Sequence, residues 1–141
     1  MTNNNEAIED ILDILAQTFD KIANELWDKG RERRNAGAIS REEYSEIKDN
    51  CRSLSRRAME LTTSSSRGRI GQLSGNLADL KAITEDLKQA KERIQNIEAG
   101  LKTAVAAVAA VTTVITAVTA PNPASILAAT KGVADLVAAV S

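Results

Sequence analysis

Ile83, Leu87, Ala90, Ile94, Ile97, Leu101, Ala104, Val108, Val111, Ile115 and Val118 alternate steps of four and three residues, and all of them are apolar. That rhythm marks one face of an α-helix. Leu73, Leu77 and Leu80 continue it backwards, with one three-residue step at 80 to 83. The β-branched run from Val111 to Thr119 suits a strand as well, but the spacing argues harder for a helix. The spacing therefore predicts one long helix from Asn76 to Ala120, interrupted weakly by Gly100 and stopped by Pro121-Asn122-Pro123. Its far half begins 28 consecutive uncharged residues, Thr103 to Thr130. A domain of 141 residues rarely carries such a run unless something covers it.

The remaining helices follow from the same kind of pattern. Ile8, Leu12, Leu15, Phe19, Ile22 and Leu26 place a first helix over roughly 5–34. Acids open it (Glu6, Glu9, Asp10) and bases close it (Arg31, Arg33, Arg34), which suits the helix macrodipole. Gly37 is a plausible left-handed cap. Ser40-Arg41-Glu42-Glu43 reads as a capping box, with Ile39 and Tyr44 spaced as a hydrophobic staple. Tyr44, Ile47, Cys51, Leu54, Ala58 and Leu61 then form the apolar face of a second helix. Residues 62–75, rich in Ser, Thr and Gly, read as a turn or hinge centred on Gly68, Gly71 and Gly75. A last helix starts at Asn122, with Pro123 at its first position.

Charge falls in blocks. Residues 1–28 carry a net charge of -6, residues 29–69 carry +5, and residues 70–102 balance. Residues 103–141 hold only Lys131 and Asp135. The expected architecture is all-α: an antiparallel helical bundle with one long central helix extending into an apolar C-terminal helical hairpin. Residues 1–102 form a charged amphipathic three-helix bundle, and residues 103–141 an uncharged Ala/Val/Thr-rich hairpin. The span Thr103–Ala120 would rise about 27 Å, close to the ~30 Å hydrocarbon thickness of a bilayer.

What covers the hairpin decides the function. Another copy, a protein partner, the monomer's own core and a lipid bilayer all fit the pattern. The candidate membrane or oligomer face is Leu101, Ala104, Val108, Val111, Ile115, Val118, Ile126, Leu127, Val133, Leu136, Val137 and Val140. The Ala/Thr-rich composition is only marginally hydrophobic, which suits a segment that is soluble when packed and inserts when released. Ala106/Ala110 and Ala120/Ala124 allow close helix contacts in lipid. A bundle whose long helix runs through Thr103–Ala120, turns at Pro121-Asn122-Pro123 and returns from Ser125 to Val140 resembles the α-helical pore-forming toxins of the cytolysin A type. The resemblance is architectural and covers about a third of the chain. It implies an oligomerising pore-forming or membrane-perturbing effector.

Chemistry has little to work with. There is no His and one Cys, so the commonest general base, the commonest metal ligand and an internal disulfide are all missing. Cys51 lies on an apolar face and reads as a buried, inert thiol. The acids at 6, 9, 10, 13 and 20 read as a solvated helix face. No catalytic residue, metal site or cofactor is expected, and the reading is non-enzymatic. The basic residues at 29–34 and 52–69 are interrupted by acids and lack stacking aromatics, which argues against nucleic acid as a partner. They are expected to pair with the acidic first helix. The N-terminus lacks a basic and apolar leader and the chain has no lipidation motif, so synthesis in the cytoplasm is expected.

Overall fold

Local signals fix most helix ends in the computed structural model, which describes residues 4–63, 70–97 and 99–140. Helix α1 spans Asn4–Asn35. It closes as its sequence predicts: Gly37 takes a left-handed φ of 74°, Ala38 N–H donates to the Arg33 carbonyl (2.8 Å), and Gly37 N–H donates to that of Arg34 (3.1 Å). Helix α2 spans Arg41–Glu60, and the Ser40 hydroxyl accepts from the Glu43 N–H at 3.1 Å. A 3-10 segment covers Ile70–Asn76 and leads into α3, Leu77–Ile94. Helices α4, Leu101–Thr119, and α5, Pro123–Ala139, complete the chain. No strand occurs among the described residues.

The expected long helix is two helices. It ends at Ile94 and restarts at Leu101, with non-helical chain between. The bundle and the C-terminal hairpin are present, but the hairpin does not extend beyond the bundle. Helix α1 packs against α2 and α3, α4 packs against α2 and α5, and α5 packs against α3. The five helices thus close a ring in the order α1, α2, α4, α5, α3. Although consecutive in sequence, α3 and α4 are not neighbours in it. The segment 95–100 carries the chain across.

Contacts between helices give the directions. Gly30 faces Ile47 and Asp20 meets Ser55, so α1 and α2 run opposite ways. Ile11 and Ile14 share a groove with Lys81 and Thr84, while Lys29 reaches Gln95, so α1 and α3 run the same way. The core inside the ring takes large side chains from the charged half, with Phe19, Leu15, Leu54 and Leu87 fully buried. From α4 it takes small ones, Ala104, Ala107, Ala110, Val111 and Val114, and from α5 Ile126 and Leu136 beside Ala129 and Val133.

The physical reason for the break is burial. A straight helix would leave Thr103–Ala120 with α5 as its sole intramolecular neighbour. Folding back at 95–100 adds α2 as a neighbour to α4, and α3 as a neighbour to α5. Each fully buried Val or Leu contributes about 1.5–3 kcal/mol, which outweighs the few helical hydrogen bonds lost at the break.

Candidate functional site

Helix α4 has no charged residue after Lys102, and α5 has only Lys131 and Asp135. A helix that is apolar on every side is normally enclosed. Here α4 is long and apolar enough to cross a membrane by length and composition, yet less than half of its apolar window is buried. Its outer surface exposes Val105 (51%), Ala109 and Thr116, and that of α5 exposes Leu127 (69%), Ala128 and Ala134. The outer face of the hairpin is therefore nearly uncharged, whereas α1 and α2 turn acids and bases outward.

Five threonines and the tip groups of the hairpin bond within it. The hydroxyls of Thr112, Thr116 and Thr119 donate to the carbonyls of Val108 (2.8 Å), Thr112 (3.1 Å) and Ile115 (2.9 Å). Thr113 donates to Ala110 at 2.8 Å and Thr130 to Ile126 at 3.0 Å. At the tip, Ser125 N–H donates to Asn122 Oδ1 (2.9 Å) and Asn122 N–H donates to Ser125 Oγ (3.0 Å), a reciprocal capping box. Ser125 Oγ and Asn122 Nδ2 both donate to the Ala120 carbonyl, at 2.9 and 3.2 Å. The threonines are thus committed to their own helices' carbonyls.

The two arms approach closely. A Cβ at Gly132 would stand 2.5 Å from Thr113 Oγ1 and 3.5 Å from Ala110 Cα, so only glycine fits that crossing undisturbed. Interfaces built on small residues hold by close van der Waals packing, which persists in lipid.

One covalent connection, 95–100, joins the hairpin to the rest. Ala99 within it is buried (1% exposed). Lys29 Nζ donates to the Gln95 carbonyl at 3.3 Å, and Arg33 Nη1 lies 2.9 Å from where a Gly100 Cβ would be. The expected hinge lies elsewhere. Gly68 falls outside the described residues, and Gly71 and Gly75 are exposed within the 3-10 segment.

Of the candidate face, Ala104, Val111, Val118, Ile126, Val133, Leu136 and Val140 are buried inside the ring. Leu101, Val108, Ile115 and Val137 are half-buried, and only Leu127 is exposed. The buried face of α4 includes a second row, Thr103, Ala107, Ala110, Val114 and Ala117, which sequence reading missed. At ~100° per residue the centre of the buried face lies about 70° from the seam read in the sequence. The missed row also steps by four and three but consists of smaller residues, so hydropathy pointed to the greasier seam while close packing buried the smaller row.

Elsewhere, Cys51 is buried and desolvation raises its thiol pKa from 9.0 to about 11. Trp27 receives Lys48 Nζ and the Arg52 guanidinium at 5.9 and 5.6 Å from its ring centroid, so an aromatic does stand beside the basic stretch of α2. Arg31 pairs with Asp28 on its own helix, and Ser55 Oγ donates to Asp20 across the α1–α2 interface at 2.9 Å. Among the described residues no cluster of three or more His, Cys, Asp or Glu could hold a metal ion. Compared with family models, with curated proteins and with solved structures, the chain matches none.

Proposed function

We propose that this is a non-enzymatic, membrane-associating helical protein that stores an apolar hairpin within its bundle and acts as an oligomerising, membrane-perturbing effector once that hairpin is released. The observation that carries the reading is the hairpin's self-sufficiency. Its threonine hydroxyls and tip groups are bonded internally, as a segment must arrange before entering a medium without water. Its 19-residue arm rises about 28 Å, close to the ~30 Å of a bilayer core. The arms can leave as one unit, because they adhere through Gly132 and join the preceding helices through 95–100. Release would leave α1 flanked by α2 and α3 at the membrane surface.

A second reading has its own observation. The same uncharged outer face, with Val105 and Leu127 exposed, also suits burial against another copy or a protein partner.

Liposome flotation with dye release, on protein whose solution mass is measured in the same run, separates the two. Asp79 and Leu127 line one groove between α3 and α5. Replacing both with Cys in a Cys51→Ala background, and joining them with a cleavable bis-maleimide, clamps the hairpin to the bundle. Membrane activity predicts flotation and leakage for the free protein, loss of both in the clamped form, and recovery on cleavage. A discrete multimer that never floats would replace this reading with the second one.

A further inference from the structure

We infer that the end of the bundle around the 95–100 tether is the membrane-facing end, and that it binds the anionic surface of a phospholipid bilayer through Lys29, Arg33, Lys91 and Lys102. The inference rests on the membrane reading and adds to it which surface is recognised and by what.

The fold gathers charge that the sequence keeps apart. The end of α1, the end of α3 and the start of α4 meet at the tether: Lys29 bonds to Gln95, Arg33 stands against Gly100, and Lys91 shares a groove with Gln95 and Asp28. Segments 28–34 and 88–102 together hold eight Lys and Arg against four Asp and Glu, a net +4. Arg41, Glu42 and Glu43 at the start of α2 lower this to +3. The opposite end sets Glu6, Glu9, Asp10, Asp13, Glu60 and Asp79 against Arg56, Arg57 and Lys81, a net -3. An anionic leaflet attracts basic groups within about a Debye length, so this polarity orients the molecule tether-first. That orientation also brings the root of the hairpin at 95–100 to the bilayer. Lys29 bonds to the tether and Arg33 stands beside it when the protein is free. Lipid phosphates compete for the same two cations, which couples adsorption to loosening of the joint.

The test compares flotation on phosphatidylcholine vesicles with flotation on vesicles containing about 30% phosphatidylglycerol, each at low and high salt. The full chain is expected to partition about tenfold more strongly onto the anionic vesicles, with the preference lost at high salt. Lys91→Gln with Lys102→Glu should remove most of that preference while the helical circular dichroism stays unchanged, since an acid in the first turn of α4 is compatible with its dipole. The Lys91→Arg, Lys102→Arg variant should restore it. Equal partitioning onto both vesicles overturns the inference and leaves the hairpin reading standing. An anionic preference that survives the double variant places the contact elsewhere and also overturns it. Absence of binding to either vesicle overturns both readings.

Discussion

The charged half of the ring and the apolar hairpin bury their faces by different means. In α1, α2 and α3 the core is made of large residues, such as Phe19, Leu15, Leu54 and Leu87, each on a narrow stripe bounded by charge. In α4 it is made of Ala and Val with Thr103, α5 adds Ala129 and Val133 beside Ile126 and Leu136, and the stripe has almost no charged boundary. Large side chains on a bounded stripe specify one orientation and stabilise it through buried area. Small side chains on an unbounded helix allow close approach but specify rotation weakly. The hairpin is therefore the part of this molecule with the least stabilisation per residue and the fewest alternatives to being covered. That combination is what the membrane reading uses.

The comparison breaks most completely at Val111, which is fully buried. Val111→Asp places an unpaired carboxylate inside the ring. It should cost more than about 4 kcal/mol, read as loss of a cooperative thermal transition. A protein that melts like the wild type would mean that the hairpin is not part of the core in solution. Truncating one side chain in each half sharpens the contrast. Leu87→Ala is expected to cost about 2–5 kcal/mol. Val114→Ala, with less volume removed, is expected to cost about 2 kcal/mol. Chemical denaturation of the pair measures both, and equal losses would erase the distinction between the halves.

Gly132→Val pushes a side chain into Thr113 and Ala110. It should destabilise by about 1–3 kcal/mol and selectively speed hydrogen exchange in α4 and α5. Uniform exchange across the ring would mean that the hairpin does not open as a unit. The smallest expected effect is at Cys51. Its folded pKa, about 11, lies above the ordinary 9.0, so the unfolded chain ionises first as pH rises. Stability is unaffected below pH 9.0 and falls as pH climbs from there towards about 11. Cys51→Ala should flatten that alkaline fall in a pH series of melts.

Much of the fold was legible in the residues. Ser40, Gly37 and Asn122 with Pro123 mark helix ends because caps are local, satisfying orphan backbone groups within a few residues. The apolar faces of α1, α2 and α3 were readable because charge bounds them. The candidate site was readable as a segment, Thr103 to Val140; the second buried row of α4 and the turn at 95–100 were not. Thr103, Ala107, Ala110, Val114 and Ala117 form a row as regular as the seam from Leu101 to Val118, and a helix without charge after Lys102 offers little contrast to separate them. The stretch 62–75 separates α2 from α3, with Gly68 outside the described residues, while the break at 95–100 has only Gly100 as a weak local signal.

By itself, then, the amino-acid sequence determined the helical class, the caps, the uncharged hairpin and the absence of His. All of these depend on residue type or on spacing within one turn or a few. Only the tertiary structure decided whether the seam from Ile83 to Val118 lies on one helix or two. A period of 3.6 residues reports which side chains share a buried face, and it is preserved when the chain folds back onto the same core. The break at 95–100 is set by what α2 and α3 offer the hairpin across the ring, a long-range gain in burial that no local spacing encodes.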